Sequence, residues 1–301
     1  MNVLVTGSTG LLGQALSSHL APSCEVTGLS RGAPGGPGEG RHVTCDLRDA
    51  QRTIQVIRSV RPTIVMHTQA LSDVDHCERE PSLAQALNIL TTRHVVQALQ
   101  GTEALLVHLS TAYVFDGHKG APYDEVDEPR PMNVYGASKL TSEQEALRLP
   151  RAIVVRTSLL FGAGRMNFCD QVVAGVRDGQ PVEAFVDQRI SPTYTMDLAE
   201  ALRELALALQ RCPSSSWPSR IFHVVNAGGC SRVEFAQRIV ELLGGAPQAI
   251  QPIRMADQHR SAARPACAML TTQYVPRVIG RTLRSWDDAL QAYLRQRRWL
   301  N

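Results

Sequence analysis

The chain has 301 residues, 44% of them hydrophobic, and a formal net charge of +3, which allows a sizeable buried core and, with no basic run, argues against a nucleic-acid partner. Its seven cysteines (24, 45, 77, 169, 212, 230 and 267) are odd in number and lack C-x-x-C spacing, so they read as free thiols of a reducing compartment, the cytoplasm, and not as disulfides or metal ligands. No apolar stretch reaches the ~18 residues of a membrane span, and the N-terminus lacks the basic region of a signal peptide.

The first element is a Val-rich apolar run, Asn2–Val5, suited to a buried parallel strand. The segment Thr6-Gly7-Ser8-Thr9-Gly10-Leu11-Leu12-Gly13 follows at once and leads into a helical pattern over 11–20. In this T-G-x-x-G-x-x-G arrangement, Gly7 permits a tight turn and Gly10 close approach of a pyrophosphate. Gly13 permits close packing of helix on strand. The phosphates of a dinucleotide would rest on the unpaired N–H groups of the helix N-terminus, so Gly7 and Thr9 to Gly13 are candidate cofactor residues.

Further strands are expected at Glu25–Leu29, Thr63–His67, Ala104–Leu109, Ala152–Arg156 and Ile221–Val225. Helices are expected at about 49–59, 82–100 and 133–148. This alternation predicts an α/β fold with a doubly wound parallel sheet covered by helices on both faces. Gly32 to Gly40 reads as a flexible loop and Arg211 to Arg220 as a surface loop.

The second strand ends in Leu29-Ser30-Arg31. An acid there would bind the free 2′-hydroxyl of NAD, whereas arginine pairs with the 2′-phosphate of NADP. Ser30 and Arg31 therefore favour NADP(H), with a solvated loop residue as the plainer role for Arg31. Asp46 stands after the next strand, where the plain alternative to cofactor binding is a helix N-cap.

Tyr135 and Lys139 lie one turn apart on a predicted helix, hence on one face. A neighbouring ammonium favours the phenolate and is expected to lower the tyrosine pKa from its usual value near ~10, fitting Tyr135 for acid–base work. Lys139 would also anchor the nicotinamide ribose. Ser110-Thr111 closes a strand at the carboxyl edge of the sheet, where Thr111 can bind a substrate carbonyl.

With the glycine loop and Y-x-x-x-K, the segments Leu109-Ser-Thr-Ala-Tyr-Val-Phe-Asp-Gly117 and Asn133-Val-Tyr-Gly-Ala-Ser-Lys139 resemble the extended short-chain dehydrogenases/reductases. Within them the chain resembles the dTDP-4-dehydrorhamnose reductase group, which includes the regulatory β subunit of methionine adenosyltransferase. Val74-Asp-His-Cys-Glu-Arg-Glu-Pro81, Arg156-Thr-Ser-Leu-Leu-Phe-Gly162, Asp187-Gln-Arg-Ile-Ser-Pro-Thr193 and Ala263-Arg-Pro265 extend the likeness over nearly the whole chain.

The resemblance implies a Rossmann-type sheet over 1–162, completed by about 196–225, with a smaller substrate-binding lobe mainly from 163–301. It implies that Tyr135 donates a proton with help from Lys139. Asp46 and the Leu47 backbone would hold the adenine, and Ala70, Leu71 and Ser72 would touch the cofactor. Thr111 and Ala112 would face the sugar, Leu159 would line its pocket unless it is simply a buried strand residue, and Arg264 would lie near the substrate. Among Arg165, Arg189, Arg254 and Arg264, partners for the substrate diphosphate are sought, although a solvated role suits any one of them. Trp286 and Trp299 are expected in the core or at a contact with a second copy of the chain, a homodimer.

The activity implied is NADPH-dependent reduction of the keto group of a nucleotide-activated 4-keto-6-deoxysugar. Two departures stand out. The group writes S-T-D-Y-V-F, and Ala112 replaces that Asp, which puts the ordinary rhamnose precursor in doubt. Ala15 stands where some members place an acid that helps hold Mg²⁺, so no metal requirement is expected. Dehydration needs an Asp-Glu pair after Thr111, which is missing here. A C4 epimerase tolerates Ala112 but retains NAD, in poor accord with Ser30-Arg31. A cofactor-binding regulatory subunit of a synthase is the non-catalytic alternative.

Overall fold

The computed structural model describes residues 1–32 and 41–300. The loop expected at Gly32 to Gly40 falls, but for Gly32, outside the described residues. Strands β1 (Asn2–Thr6), β2 (Glu25–Ser30), β3 (Arg41–Thr44), β4 (Ile64–His67), β5 (Leu105–Thr111), β6 (Ala152–Thr157) and the strand Ile221–His223 form a wholly parallel sheet. Its spatial order is Ile221–His223, β6, β5, β4, β1, β2, β3. The order reverses between β1 and β4, where Thr6 is in register with His67. In open α/β sheets the crevice at the carboxyl ends beside such a reversal is where ligands bind.

The strands read as continuous apolar runs because both sheet faces are covered. The helices are α1 (Leu11–Leu20), α2 (Ala50–Val60), α3 (Val74–Arg79), α4 (Pro81–Ala84), α5 (Thr91–Leu99), α6 (Val134–Ala146), α7 (Phe168–Asp178), α8 (Thr195–Gln210), α9 (Arg232–Leu242), α10 (Val275–Ile279) and α11 (Trp286–Gln296). Leu16 and Leu20 of α1 and Leu198, Leu202 and Leu205 of α8 pack with Val3, Val5 and Val107 on one face. Ile57 of α2 and Val95 and Leu99 of α5 pack with Leu4, Val65 and Leu106 on the other. The helix expected over 82–100 is α4 and α5 joined by a π-helical turn, Gln85–Leu90, a local underwinding of the kind often met near functional sites.

After Phe161 the chain builds a second cluster from α7, α9 and α11, in which Phe161, Tyr194, Phe235 and Tyr293 interlock. Short strand pairs frame it, Val182–Phe185 with Ile250–Ile253 and Arg189–Ile190 between Cys230–Ser231 and Cys267–Ala268. Trp286 packs edge-on to Phe235 at 5.8 Å and Trp299 edge-on to Tyr293 at 5.9 Å, so both belong to this core. The surface loop expected at Arg211 to Arg220 is only partly that. Trp217 is buried against the sheet layer, and its indole N–H donates to the Leu209 carbonyl at 3.1 Å.

One polar contact crosses the sheet beneath the crevice. Arg156 of β6, 1% exposed, donates from Nε and Nη2 to the two carboxylate oxygens of Glu143 on α6 at 2.9 and 2.7 Å. Ser110 of β5 donates to the same carboxylate at 2.5 Å. Arg156→Met would strand a buried carboxylate and is expected to lower the unfolding free energy by about 3–5 kcal/mol, read as an earlier urea midpoint. An unchanged midpoint would contradict the role given to this contact.

Candidate active site

The glycine loop joins β1 to α1 at the crevice. Gly7 has φ +69°, and a Cβ there would lie 2.8 Å from the Gln69 backbone. A Cβ on Gly13 would lie 2.2 Å from the Gly7 carbonyl oxygen, so the helix packs on its own loop only with glycine. Gly10 is the N-cap and offers no side-chain acceptor to the first turn, whose N–H groups lie at the positive end of the helix dipole.

A cavity of about 240 Å³ brings together Gly7, Thr9, Gly10, Ser30, Arg31, Asp46, Leu47 and Ala70. Leu11, Leu12, Gly13, Leu71 and Ser72 are not among its lining residues. Leu12 and Gly13 are buried in α1. The Leu71 N–H donates to Asn88 Oδ1 at 2.7 Å, and Asn88 Nδ2 donates to Ser138 of α6 at 2.8 Å. Asn88 comes from the π-helical turn, and no local pattern marked it. Thr68, Gln69, Leu87 and Arg165 complete the wall.

At the outer end of this groove Arg31 is exposed. Arg48 grips Asp46 through Nε at 3.0 Å and Nη2 at 2.6 Å. Its hydrogen bonds hold the Asp46 carboxyl below the usual range, with Arg31 adding to the effect. The helix-cap alternative for Asp46 does not hold, because Asp49 caps α2 by accepting from Arg52 N at 2.9 Å. His42, 3.0 Å from Ser30 Oγ, lies here too and went unmarked in the sequence.

Asn133 caps α6, accepting from Gly136 N at 2.8 Å. That places Tyr135 and Lys139 on the inner face of α6, beside β5. Ser110 is committed to Glu143, and Thr111 is the hydroxyl that acts on Tyr135. A Thr111 hydrogen bond pulls the Tyr135 pKa down, yet burial dominates and pushes it up to about 12.

This reverses the expected lowering by Lys139. The lysine is 2% exposed, and its Nζ lies 3.4 Å from His108 Nε2, which is in turn 2.9 Å from Ser142 Oγ. The ammonium is engaged below the tyrosine. Burial pushes it down to about 8, with Glu143 pulling the other way. His108 and His67, their rings tilted at 5.3 Å, are kept neutral by burial and by the Lys139 charge.

On the substrate side, Ala112 is 1% exposed and packs with Val114, Phe115 and Ala268. Leu159 is partly buried against the aromatic cluster. The four arginines part company. Arg264 forms a two-pronged pair with Asp75 at 2.7 and 2.5 Å and holds that carboxyl down at about 2. Arg165 instead reaches the cofactor groove, donating to the Thr9 carbonyl at 2.9 Å. Arg189 lines a separate cavity with Val225 and Met269, and Arg254 is exposed.

A glycine-loop groove at the reversal point of a parallel sheet, with Thr111 at the carboxyl end of a nearby strand and Tyr135 and Lys139 on the helix beside it, is the arrangement of a short-chain dehydrogenase/reductase of the extended type. Residues 1–298 match the family described as RmlD substrate binding domain. A dTDP-4-dehydrorhamnose reductase of Streptomyces griseus is 34% identical, over 95% of this chain and 91% of its own. A probable dTDP-4,6-dihydroxy-2-methyloxan-3-one 4-ketoreductase of Streptomyces antibioticus is 32% identical, over 97% and 94%. The crystal structure of a dTDP-4-dehydrorhamnose reductase from Bacillus anthracis in complex with NADP superimposes with a TM-score of 0.83 at 29% identity, covering 98% of this chain and 99% of that one. The chain belongs to the RmlD, or dTDP-4-dehydrorhamnose reductase-like, family.

The buried lysine makes stability depend on pH. Its folded pKa, about 8, lies below its ordinary 10.5. Below about pH 8 both states hold the proton and the burial penalty is complete. Between 8 and 10.5 the folded state sheds a proton that the unfolded chain keeps, so this penalty fades as pH rises. Compared with Lys139→Met, the wild type is expected to gain on the order of 3 kcal/mol across that window, measured by denaturant unfolding at several pH values. A constant difference would mean that Lys139 is not charged in the core.

Proposed function

We propose that this protein reduces the keto group of a nucleotide-activated 4-keto-6-deoxysugar with NADPH. The observation that carries the reading is that Tyr135, beside Thr111, lies one turn from the buried Lys139 on α6, while the glycine-loop cavity opens at the same carboxyl edge of the sheet. The residues suit the cofactor: the loop glycines leave room that a Cβ would fill, and the buried Oε1 of Gln69, a residue of the cavity wall, lacks a hydrogen-bond partner. Ser30 and Arg31, with no acid at that strand end, favour the 2′-phosphate form. Bound there, NADPH supplies the hydride.

The chain's own residues handle the proton and the alignment. Thr111 holds the carbonyl oxygen. Tyr135, kept protonated near neutrality by burial, delivers its proton to that oxygen as negative charge develops. Lys139, still mostly an ammonium at pH 7, offsets the phenolate left behind and holds the nicotinamide ribose. General-acid help of this kind is worth about 10²–10⁴-fold in rate. The lobe built mainly from 163–301 covers the nucleotide sugar. Ala112, in place of the family's Asp, supports a sugar other than the ordinary rhamnose precursor. The Streptomyces antibioticus ketoreductase, at similar identity, is named for such a sugar. A reducing cytoplasm suits the seven free thiols.

The test is NADPH oxidation with freshly prepared dTDP-4-keto-6-deoxyhexose, before and after adding a 3,5-epimerase. Tyr135→Phe is expected to lower turnover by about 10²-fold or more with NADPH affinity nearly unchanged; unchanged turnover would remove Tyr135 from the chemistry. Arg31→Asp is expected to weaken NADPH far more than NADH in a fluorescence titration, and equal weakening would deny it the 2′-phosphate.

A further inference from the structure

Arg232 is the first residue of α9, directly after its N-cap Ser231. A guanidinium there stands at the positive end of a helix dipole, the unfavourable end for a cation. The one acid of that first turn, Glu234, is turned back to the Ser231 N–H at 2.6 Å. Arg232 lies flat against Phe168, its guanidinium carbon 4.2 Å from the ring centre. Among the described residues it forms no salt bridge, and the charged neighbours that act on it are the guanidinium groups of Arg260 and Arg264. Its pKa is held below the usual arginine range, mainly by burial.

The surroundings make this placement costlier. Arg260 and Arg264 both turn to Asp75, at 3.7 and 2.5 Å, so the nearby carboxylate is already taken by two other guanidinium groups. The Arg232 N–H donates to the Gln188 carbonyl at 3.0 Å. Gln188, 1% exposed, donates through Nε2 to the Tyr113 hydroxyl at 3.1 Å, while its Oε1 is buried without a partner. Tyr113 in turn packs edge-on against Tyr135 at 6.0 Å. The backbone at the start of α9 is thus tied through Gln188 to Tyr113, which packs on Tyr135, and the Arg232 guanidinium is near enough to Tyr113 to act on it electrostatically.

We infer that Arg232 is a substrate-binding residue that receives an oxyanion of the nucleotide sugar, a diphosphate oxygen or a carboxylate on the sugar. The inference rests on the reading of the site as a nucleotide-sugar reductase. A half-buried guanidinium that rests on an aromatic ring, with no carboxylate partner and two other arginines nearby, is stabilised when an anion completes it. The flat Phe168 face holds the fork in one plane, suited to two-pronged contact. Arg165, Arg189, Arg254 and Arg264 are each engaged, remote or exposed. Arg232, unlike Arg264, has no carboxylate partner among the described residues.

The test is calorimetric titration of the wild type, Arg232→Gln and Arg232→Lys with dTDP, dTDP-glucose, UDP-glucuronate and NADPH, at low and moderate salt. Arg232→Gln is expected to weaken dTDP and dTDP-glucose about 10- to 100-fold, with a flatter salt dependence and unchanged NADPH affinity. Arg232→Lys should recover part of the loss. Equal losses for all three nucleotide ligands place the diphosphate on Arg232. A loss confined to UDP-glucuronate places a sugar carboxylate there. Unchanged NADPH affinity shows that each variant is folded. Wild-type binding of dTDP that Arg232→Gln retains, with UDP-glucuronate also unaffected, overturns the inference alone. Wild-type binding of NADPH but of none of the nucleotide ligands overturns the inference together with the substrate reading.

Discussion

The Arg156–Glu143 pair is the contact on which the active site depends. It joins β6 to α6 across the end of β5 and takes in the Ser110 hydroxyl. Glu143 lies one helical turn beyond Lys139, which lies one turn beyond Tyr135, so fixing Glu143 fixes the rotation of the helix that carries both. Occupying Ser110 leaves Thr111 as the hydroxyl at the strand end. Two charges buried under a catalytic crevice are a poor way to gain stability. Their value lies in tying three elements into one geometry, since removing either partner leaves a charge with no neighbour to accept it.

The same burial governs the chemistry. Sequence spacing alone suggests that Lys139 activates Tyr135 by lowering its pKa. The lysine amino group lies instead beside His108, which is bonded to Ser142, and the tyrosine is governed by its burial. A tyrosine that keeps its proton at neutral pH suits a reductase, whose need is to give a proton to a developing alkoxide. A lysine pushed to about 8 is close to the pH at which it can gain or lose a proton, while two neutral histidines beneath it add no competing charge.

The features legible in the sequence are those that repeat locally. The apolar runs that became β1, β2, β4, β5 and β6 were visible because a parallel sheet buried on both faces must be apolar throughout. The glycine loop was visible because each glycine answers a steric demand, shown by the Gly7 and Gly13 contacts. Residues supplied by a distant turn were hidden. Asn88 holds the Leu71 loop against α6 from a π-helical turn, and that turn cannot be told from ordinary helix by periodicity. His42 and Arg48 reach the outer end of the groove from β3 and the turn after it, and their roles depend on how Ser30 and Asp46 are placed.

Arginines show this limit most clearly. Sequence marks a guanidinium but not whether a carboxylate meets it, and the difference decides its role. Arg264 looks like a ligand residue by position, yet Asp75 already occupies its fork. Arg165 looks like part of the substrate lobe, yet the turn before α7 brings it to the Thr9 carbonyl across the cofactor groove. Arg232 has no motif around it and sits at the wrong end of a helix for its charge. Such a placement is retained against its cost when an anion from outside completes it. The unfavourable position of Arg232 is therefore the stronger evidence of function.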